Sequence, residues 1–442
     1  MLEFVAGADL FSRRLSHDLS KKFFTNIYGQ GKNPQKSSGY APNPYFPAVF
    51  NTHNCIDKEM HGRKRRIVSQ GFSPAAINAS EPMILNHVNN LCEALLKTTK
   101  SGPLGGDGWS HPQDMASWTN YLTLDVISDL TYGQAFNLIT KPNLRWLVNA
   151  IRSSTSKPSA WYNPDKWIFP EMADERKRFL EISTKYSEER MASQEKMSER
   201  NDIMSALLVA RDPKIGIKLT EAEVWGEAYL KIAAGGDTTS TALASVLFYL
   251  SRSPIAYTRL SDEIRTIFPT IEAIHQGHLL NSCRYLRACL YEAMKLAPPA
   301  PGALWREVCS GGARIDTEQI PEGFDVGVCT FAICHNPERF LNKGTSPRIT
   351  PGLRTPSDIS APTAFAPFLL GPRSCVTKPF TYLETSLALA RLIYCLDFRA
   401  ANAMGEGAPG SGVMGKERKE EFQIVDIFSS SKEGPVLEFK KR

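Results

Sequence analysis

A chain of 442 residues with 42% hydrophobic and 22% charged side chains has the make-up of a globular protein able to bury a large core, which excludes a disordered or fibrous chain. A net charge of +6 over this length gives no compositional support for nucleic-acid binding. The nine cysteines stand singly, with no C-x-x-C pair, and so argue for a reducing compartment and against structural zinc or a disulfide framework.

No window holds the roughly 18 uninterrupted apolar residues of a membrane span. Residues 1–26 mix Glu3, Asp9, Arg13, Arg14 and Asp18 into their apolar positions, the pattern of a short amphipathic helix and neither an anchor nor a signal peptide. From Ile27, Tyr28 and Gly29 a polar, proline-bearing loop runs to about residue 57. His61, Gly62, Arg63, Lys64, Arg65 and Arg66 then open a predicted helix, with His61 and Arg65 four apart on one face. Taken alone, this is a solvated charge run.

Residues 101–111 form a Gly/Pro-rich loop, and 118–132 read as a helix through Leu122, Val126 and Leu130. Residues 148–215 hold irregular Trp- and Pro-bearing stretches around a charged helix at 175–200. Thr220, Glu221, Ala222 and Glu223 match a capping box, and no proline follows before Pro254. About 32 residues at roughly 1.5 Å each make a helix close to 50 Å long. Its middle carries Ala234, Gly235, Gly236, Asp237, Thr238 and Thr239, a poor helical sequence by propensity. Two glycines, an acid and two hydroxyls there predict a loosened turn with room for a small molecule and a proton route beside it. The competing reading is a glycine kink for close helix packing.

Glu292, Ala293, Met294 and Lys295 fall on another helix, terminated by Pro298 and Pro299. Strand-like pieces at 313–316 and 324–328 are broken by Gly311, Gly312 and Pro321. A Pro/Ser/Thr-rich loop covers 341–363. Then Phe368, Leu369, Leu370, Gly371, Pro372, Arg373, Ser374 and Cys375 present a sulfur from a tight loop that runs into a helix with Leu383, Leu387, Ala390 and Tyr394 at spacings of three and four. Gly371 permits close backbone approach to a flat cofactor. Arg373 and the helix's first amides favour a thiolate, so Cys375 reads as a metal ligand. A Gly/Ala-rich loop, a charged run at 416–421 and a terminal hairpin close the chain.

The spacing of Phe368, Gly371, Arg373 and Cys375 resembles the haem-binding loop of the cytochrome P450 family, and residues 234–239 resemble its oxygen-binding motif. The resemblance begins at about residue 27, after an atypical segment 1–26. In fungal P450s an anchor, a hinge and the first strands would lie upstream, so the chain looks amino-terminally truncated. The fold implied is mainly α with small β-sheets, one P450 domain over 1–442. The cofactor implied is haem b, its iron bound axially by the Cys375 thiolate.

By the same resemblance Ala234, Gly235, Phe368, Gly371 and Arg373 contact the haem, and His61, Arg65 and Arg306 reach its propionates. Thr238 bonds dioxygen or its water, and Asp237 relays protons. Ala300, Pro301 and Ala303 face the substrate. His335, Asn336 and Pro337 resemble a fungal segment, while the overlapping 337–340 match to the meander motif is accidental. The meander belongs in 341–363, where Arg354 is preferred to Arg348. Two departures stand out: Lys295 replaces an arginine that pairs with the glutamate at 292, and Thr377 replaces a glycine beside the haem.

The activity implied is a monooxygenase acting on a small hydrophobic organic substrate, in fungal secondary metabolism, with electrons from NADPH-cytochrome P450 reductase. Arg63, Lys64 and Arg66 are the cations offered to that partner's acidic surface. No nucleic acid and no transmembrane span enter, and the location implied is cytoplasmic or peripheral on the endoplasmic reticulum membrane. Two other readings stand beside it. One is a degraded paralogue with weak or no haem binding and no turnover, suggested by Lys295, Thr377, the weak meander and the missing amino terminus. The other is a haem-thiolate isomerase or dehydratase, against which Asp237 and Thr238 count.

Overall fold

A computed structural model describes residues 17–41, 51–97, 108–155, 170–193, 202–331, 367–401 and 420–442. Its helices run in the order α1 (His17–Tyr28), α2 (Lys58–Val68), α3 (Pro74–Leu96), α4 (Met115–Tyr132), α5 (Leu147–Thr155) and α6 (Pro170–Ala192). There follow α7 (Ile203–Val209), α8 (Glu221–Arg252), α9 (Pro254–Ile267), α10 (His278–Ser282), α11 (Arg284–Leu296) and α12 (Lys378–Cys395). The strands are β1 (Gln35–Lys36), β2 (Gln113–Asp114), β3 (Arg306–Glu307), β4 (Ala313–Ile315) and β5 (Glu318–Ile320), then β6 (Asp325–Val326), β7 (Leu396–Ala400), β8 (Ile424–Ile427), β9 (Ser429–Lys432) and β10 (Val436–Lys441). Two compact units result, one from 1–38 with 302–375 and the other from 39–301 with 376–442.

In the smaller unit β3 lies between β1 and β6, all antiparallel, and β4 and β5 form a hairpin. Its core is Phe24, Ile27 and Tyr28 of α1 against Val308, Ala313 and Ile315. This explains why α1 continues to Tyr28, through residues that by sequence begin a loop. The apolar i, i+3 and i+4 positions have a sheet to bury against.

The larger unit is built around α8. Thr220 caps it reciprocally with Glu223: Thr220 Oγ1 accepts the Glu223 N–H at 3.2 Å and Glu223 Oε2 accepts the Thr220 N–H at 3.0 Å. All 32 residues are α-helical, so the loosened turn anticipated in the middle does not occur. There the hydroxyls bond back along the helix, Thr238 to the Ala234 carbonyl at 2.8 Å and Thr241 to that of Asp237 at 2.9 Å. The glycines serve packing. A Cβ on Gly236 would fall on the Leu124 side chain, and one on Gly235 would stand 3.0 Å from Ile127 Cγ1, both on α4.

The helix predicted at 118–132 is α4, begun at Met115 by Asp114, whose carboxylate accepts the Ala116 and Ser117 amides, and closed by left-handed Gly133. Likewise α2 starts at Lys58, three residues before His61, because Asp57 accepts the Met60 amide at 2.7 Å. The charged helix expected at 175–200 starts at Pro170 and ends at Ala192. Leu383, Leu387 and Ala390 are buried as their spacing predicts, but α12 is buried on every side from Leu383 to Ile393, and Tyr394, the last of that series, is half-buried. The strand β10 joins β2 and β7, and β8 pairs with β9 as the terminal hairpin, with Phe428 at its turn. No helix among the described residues is long and apolar enough to cross a membrane.

Candidate active site

The cysteine loop belongs to the smaller unit. The Cys375 N–H donates to the Phe368 carbonyl at 2.8 Å and the Ser374 N–H to that of Gly371 at 3.1 Å, closing the loop around a short 3-10 turn at Gly371–Arg373. Gly371 has φ +69°, and a Cβ on it would collide with the Tyr28 carbonyl oxygen. In this structure its glycine is therefore required by the end of α1. Cys375 is exposed, whereas Cys55, Cys92 and Cys283 are buried. An exposed cysteine can serve as a ligand to a bound group in a way that fully buried thiols cannot.

Tyr28, which sequence reasoning placed at the start of a loop, joins the unit together. Its hydroxyl accepts the Val328 N–H at 3.0 Å, its carbonyl abuts Gly371, and the Arg306 guanidinium lies 5.0 Å from its ring centroid. Arg306 is buried on β3 and donates Nη1 to the Trp305 carbonyl at 2.8 Å.

Thr377, where the resemblance expects glycine, begins α12 with φ −87° and ψ 4°, a conformation open to any residue. Its carbonyl accepts the Thr381 N–H at 2.9 Å, and Pro379 lies in the first turn, where no amide is needed.

In the larger unit the middle of α8 has two contrasting faces. Ala234 is exposed and Thr238 half-exposed, in a helix whose flanking turns are largely buried. Asp237 is 3% exposed and its Oδ1 lies 3.1 Å from the Lys432 ammonium, on β9. The acid and the alcohol of the motif thus point to different surroundings. Lys432 was not foreseen, since a lysine ending an alternating hairpin carries no sequence signal of burial.

On α2, His61 is buried and Arg65 half-buried, so the solvated charge run is only partly that. The three other cations do not form a free docking patch. Arg63 and Lys64 pair with Glu223, Lys64 at 3.2 Å and with no exposure, while Arg66 forks onto Asp212. Arg66 holds the Asp212 carboxyl down to about 2.

Glu292 and Lys295 pair at 2.8 Å on α11, but the glutamate side chain is 56% exposed. His335, Asn336, Pro337, Arg348 and Arg354 lie outside the described residues.

An exposed cysteine on a closed loop leading into a helix, and a long helix with an uncovered alcohol next to a buried acid, are the features that the family resemblance singles out. The comparisons agree. The cytochrome P450 family model matches residues 20–406. The chain is 37% identical to cytochrome P450 monooxygenase AKT7 of Alternaria alternata, over 94% of this chain and 82% of that protein. It is 36% identical to a cytochrome P450 monooxygenase of Gibberella zeae, over 94% of this chain and 97% of that one. The crystal structure of the cytochrome P450DA heme domain shares the fold, with a TM-score of 0.72 at 17% identity, covering 97% of this chain and 86% of that one. The chain belongs to the cytochrome P450 family, a family of monooxygenases whose fold implies iron in a thiolate-bound haem. Within the smaller unit, the exposed Cys375 on its closed loop fits a thiolate ligand of such a group.

Proposed function

We propose that this protein is a haem-thiolate monooxygenase with Cys375 as the axial ligand, inserting one oxygen atom into a small hydrophobic organic substrate of fungal secondary metabolism. The observation that carries the reading is the exposed Cys375 sulfur on a loop fixed by its own main-chain bonds. Haem held by a thiolate supplies the activation of dioxygen. Phe368, Gly371, Arg373, Ala234 and Gly235 belong to the haem-contacting set. His61, Arg65 and Arg306 offer positive charge to its carboxylates.

Thr238 Oγ1 donates to the Ala234 carbonyl, which leaves its lone pairs free to accept from the open side. Asp237 takes up and gives out protons next to it. Electrons come from NADPH through cytochrome P450 reductase, with the protein peripheral on the endoplasmic reticulum or cytoplasmic.

The test is the spectrum of the reduced, carbon monoxide-bound protein. The natural protein should show the thiolate-type band, and Cys375→Ser should lose it, because a hydroxyl cannot replace the thiolate. An unchanged band in the variant rejects the assignment.

A further inference from the structure

Lys432 is the last residue of β9, and its side chain is fully enclosed in the larger unit. Its ammonium is caged by Asp237 Oδ1 at 3.1 Å, Ser240 Oγ at 2.7 Å, and Asn120 Oδ1 and the Asp237 carbonyl at 3.4 Å each. Three N–H donors meet four acceptors, so the cation is fully satisfied. The other carboxylate oxygen, Asp237 Oδ2, is buried and accepts no hydrogen bond among the described residues. Such atoms cost free energy and are the exception in folded proteins.

The strand that carries the lysine is pinned to its surroundings. The Ser430 N–H and Oγ–H donate to the Pro299 and Pro298 carbonyls at 3.0 and 2.7 Å, and Thr241 Oγ1 on α8 donates to the Ser430 carbonyl at 3.4 Å. These bonds fix the strand from which the Lys432 side chain reaches Asp237. Other charges near it are Arg152 on α5 and Asp114 ahead of α4. Burial pushes the Lys432 ammonium below the usual lysine range, and Asp237 opposes that shift.

We propose that Lys432 is a positioning residue for the reaction: it holds Asp237 by Oδ1 and supplies its counter-charge, leaving Oδ2 as the oxygen through which a proton enters or leaves. The proposal rests on Asp237 as the proton carrier, the role given to it above. A neutral side chain at 432 leaves a buried carboxylate without its cation, which disfavours the charged form.

The experiment uses the full chain with Lys432→Met, Lys432→Arg, Asp237→Asn and the Lys432→Met/Asp237→Asn double variant. The carboxylic-acid infrared band of Asp237 is identified by its absence in the two Asn variants and titrated against pH. In Lys432→Met it should titrate about one pH unit or more above the natural protein, roughly a tenfold change in proton affinity. In Lys432→Arg it should stay near its natural position. The pH profile of product per NADPH should move with the band. A structural role alone would lower stability and move the band, since the carboxylate loses its cation either way, but would leave the pH profile of product per NADPH in place. Should Lys432→Met fail to fold, Lys432→Gln carries the same test, since an amide can still bond Ser240 and Asn120. An unmoved titration in the neutral variant, with product per NADPH lowered in Asp237→Asn, overturns the role of Lys432 alone. An unchanged product per NADPH in Asp237→Asn overturns the carrier role and the proposal with it.

Discussion

Arg66 grips Asp212 with both arms of its fork, Nε to Oδ1 at 2.8 Å and Nη2 to Oδ2 at 2.6 Å, and thereby fastens α2 to the segment between α7 and α8. The carboxyl is held down to about 2, chiefly by that hydrogen bond. A depressed carboxylate contributes stability that is fully present above its unfolded value of about 4 and is lost as the pH falls through its folded value. Arg66→Gln should therefore lower the urea midpoint at pH 7, and the gap to the natural protein should close as the pH approaches about 2. Midpoints measured across that range check it, and a gap that persists in acid contradicts it.

Two glycines make contrasting demands. At Gly371 an added methyl meets the Tyr28 backbone carbonyl and φ is +69°, so neither the neighbour nor the residue can yield. At Gly236 the methyl meets the Leu124 side chain, which can turn at a cost. Overpacking of that kind costs about 1–3 kcal/mol, offset by about 1 kcal/mol of helix propensity. Gly371→Ala should be the more damaging change, seen as loss of haem uptake together with a lower denaturant midpoint, while Gly236→Ala should stay folded with a small decrease.

What the sequence made legible follows from how local each signal is. The capping box at Thr220 and the length of α8 depend on neighbouring residues, and both form as the sequence predicts, whereas the burial of α12 on every side comes from elements around it. The cysteine loop was legible as a motif, but the reason for Gly371 was not, since Tyr28 lies far away in sequence. The same limit explains the misreading of Arg63, Lys64 and Arg66. A run of cations looks free until Glu223 and Asp212, from distant parts of the chain, are seen beside it. It also explains why Lys432 was missed.

Lys295 is one of the departures that suggest a degraded protein, on the premise of a buried pair. Since Glu292 is 56% exposed, the pair is a surface one, worth about 0–1 kcal/mol. Lys295→Arg should leave both the denaturant midpoint and the haem-to-protein ratio within error of the natural protein. A clear rise in haem content would restore the suspicion.

Thr238→Ala separates chemistry from folding, because the hydroxyl lies on the uncovered face of α8 and its bond to Ala234 is internal to the helix. Alanine is the better helix former, so stability and substrate binding should survive. Without the hydroxyl, protons and water at the open face lose their fixed partner, and NADPH consumption should go to hydrogen peroxide. Proton-transfer groups of this kind contribute about 10²–10⁴-fold, and because water can stand in for part of that, product per NADPH should fall by about tenfold. Thr238→Ser, which keeps the hydroxyl, should restore most of it. Thr239→Ala is the control, as Thr239 is 3% exposed and its loss should lower the denaturant midpoint while leaving product per NADPH unchanged. Equal product yields in Thr238→Ala and the natural protein, measured alongside peroxide release, would remove Thr238 from the mechanism.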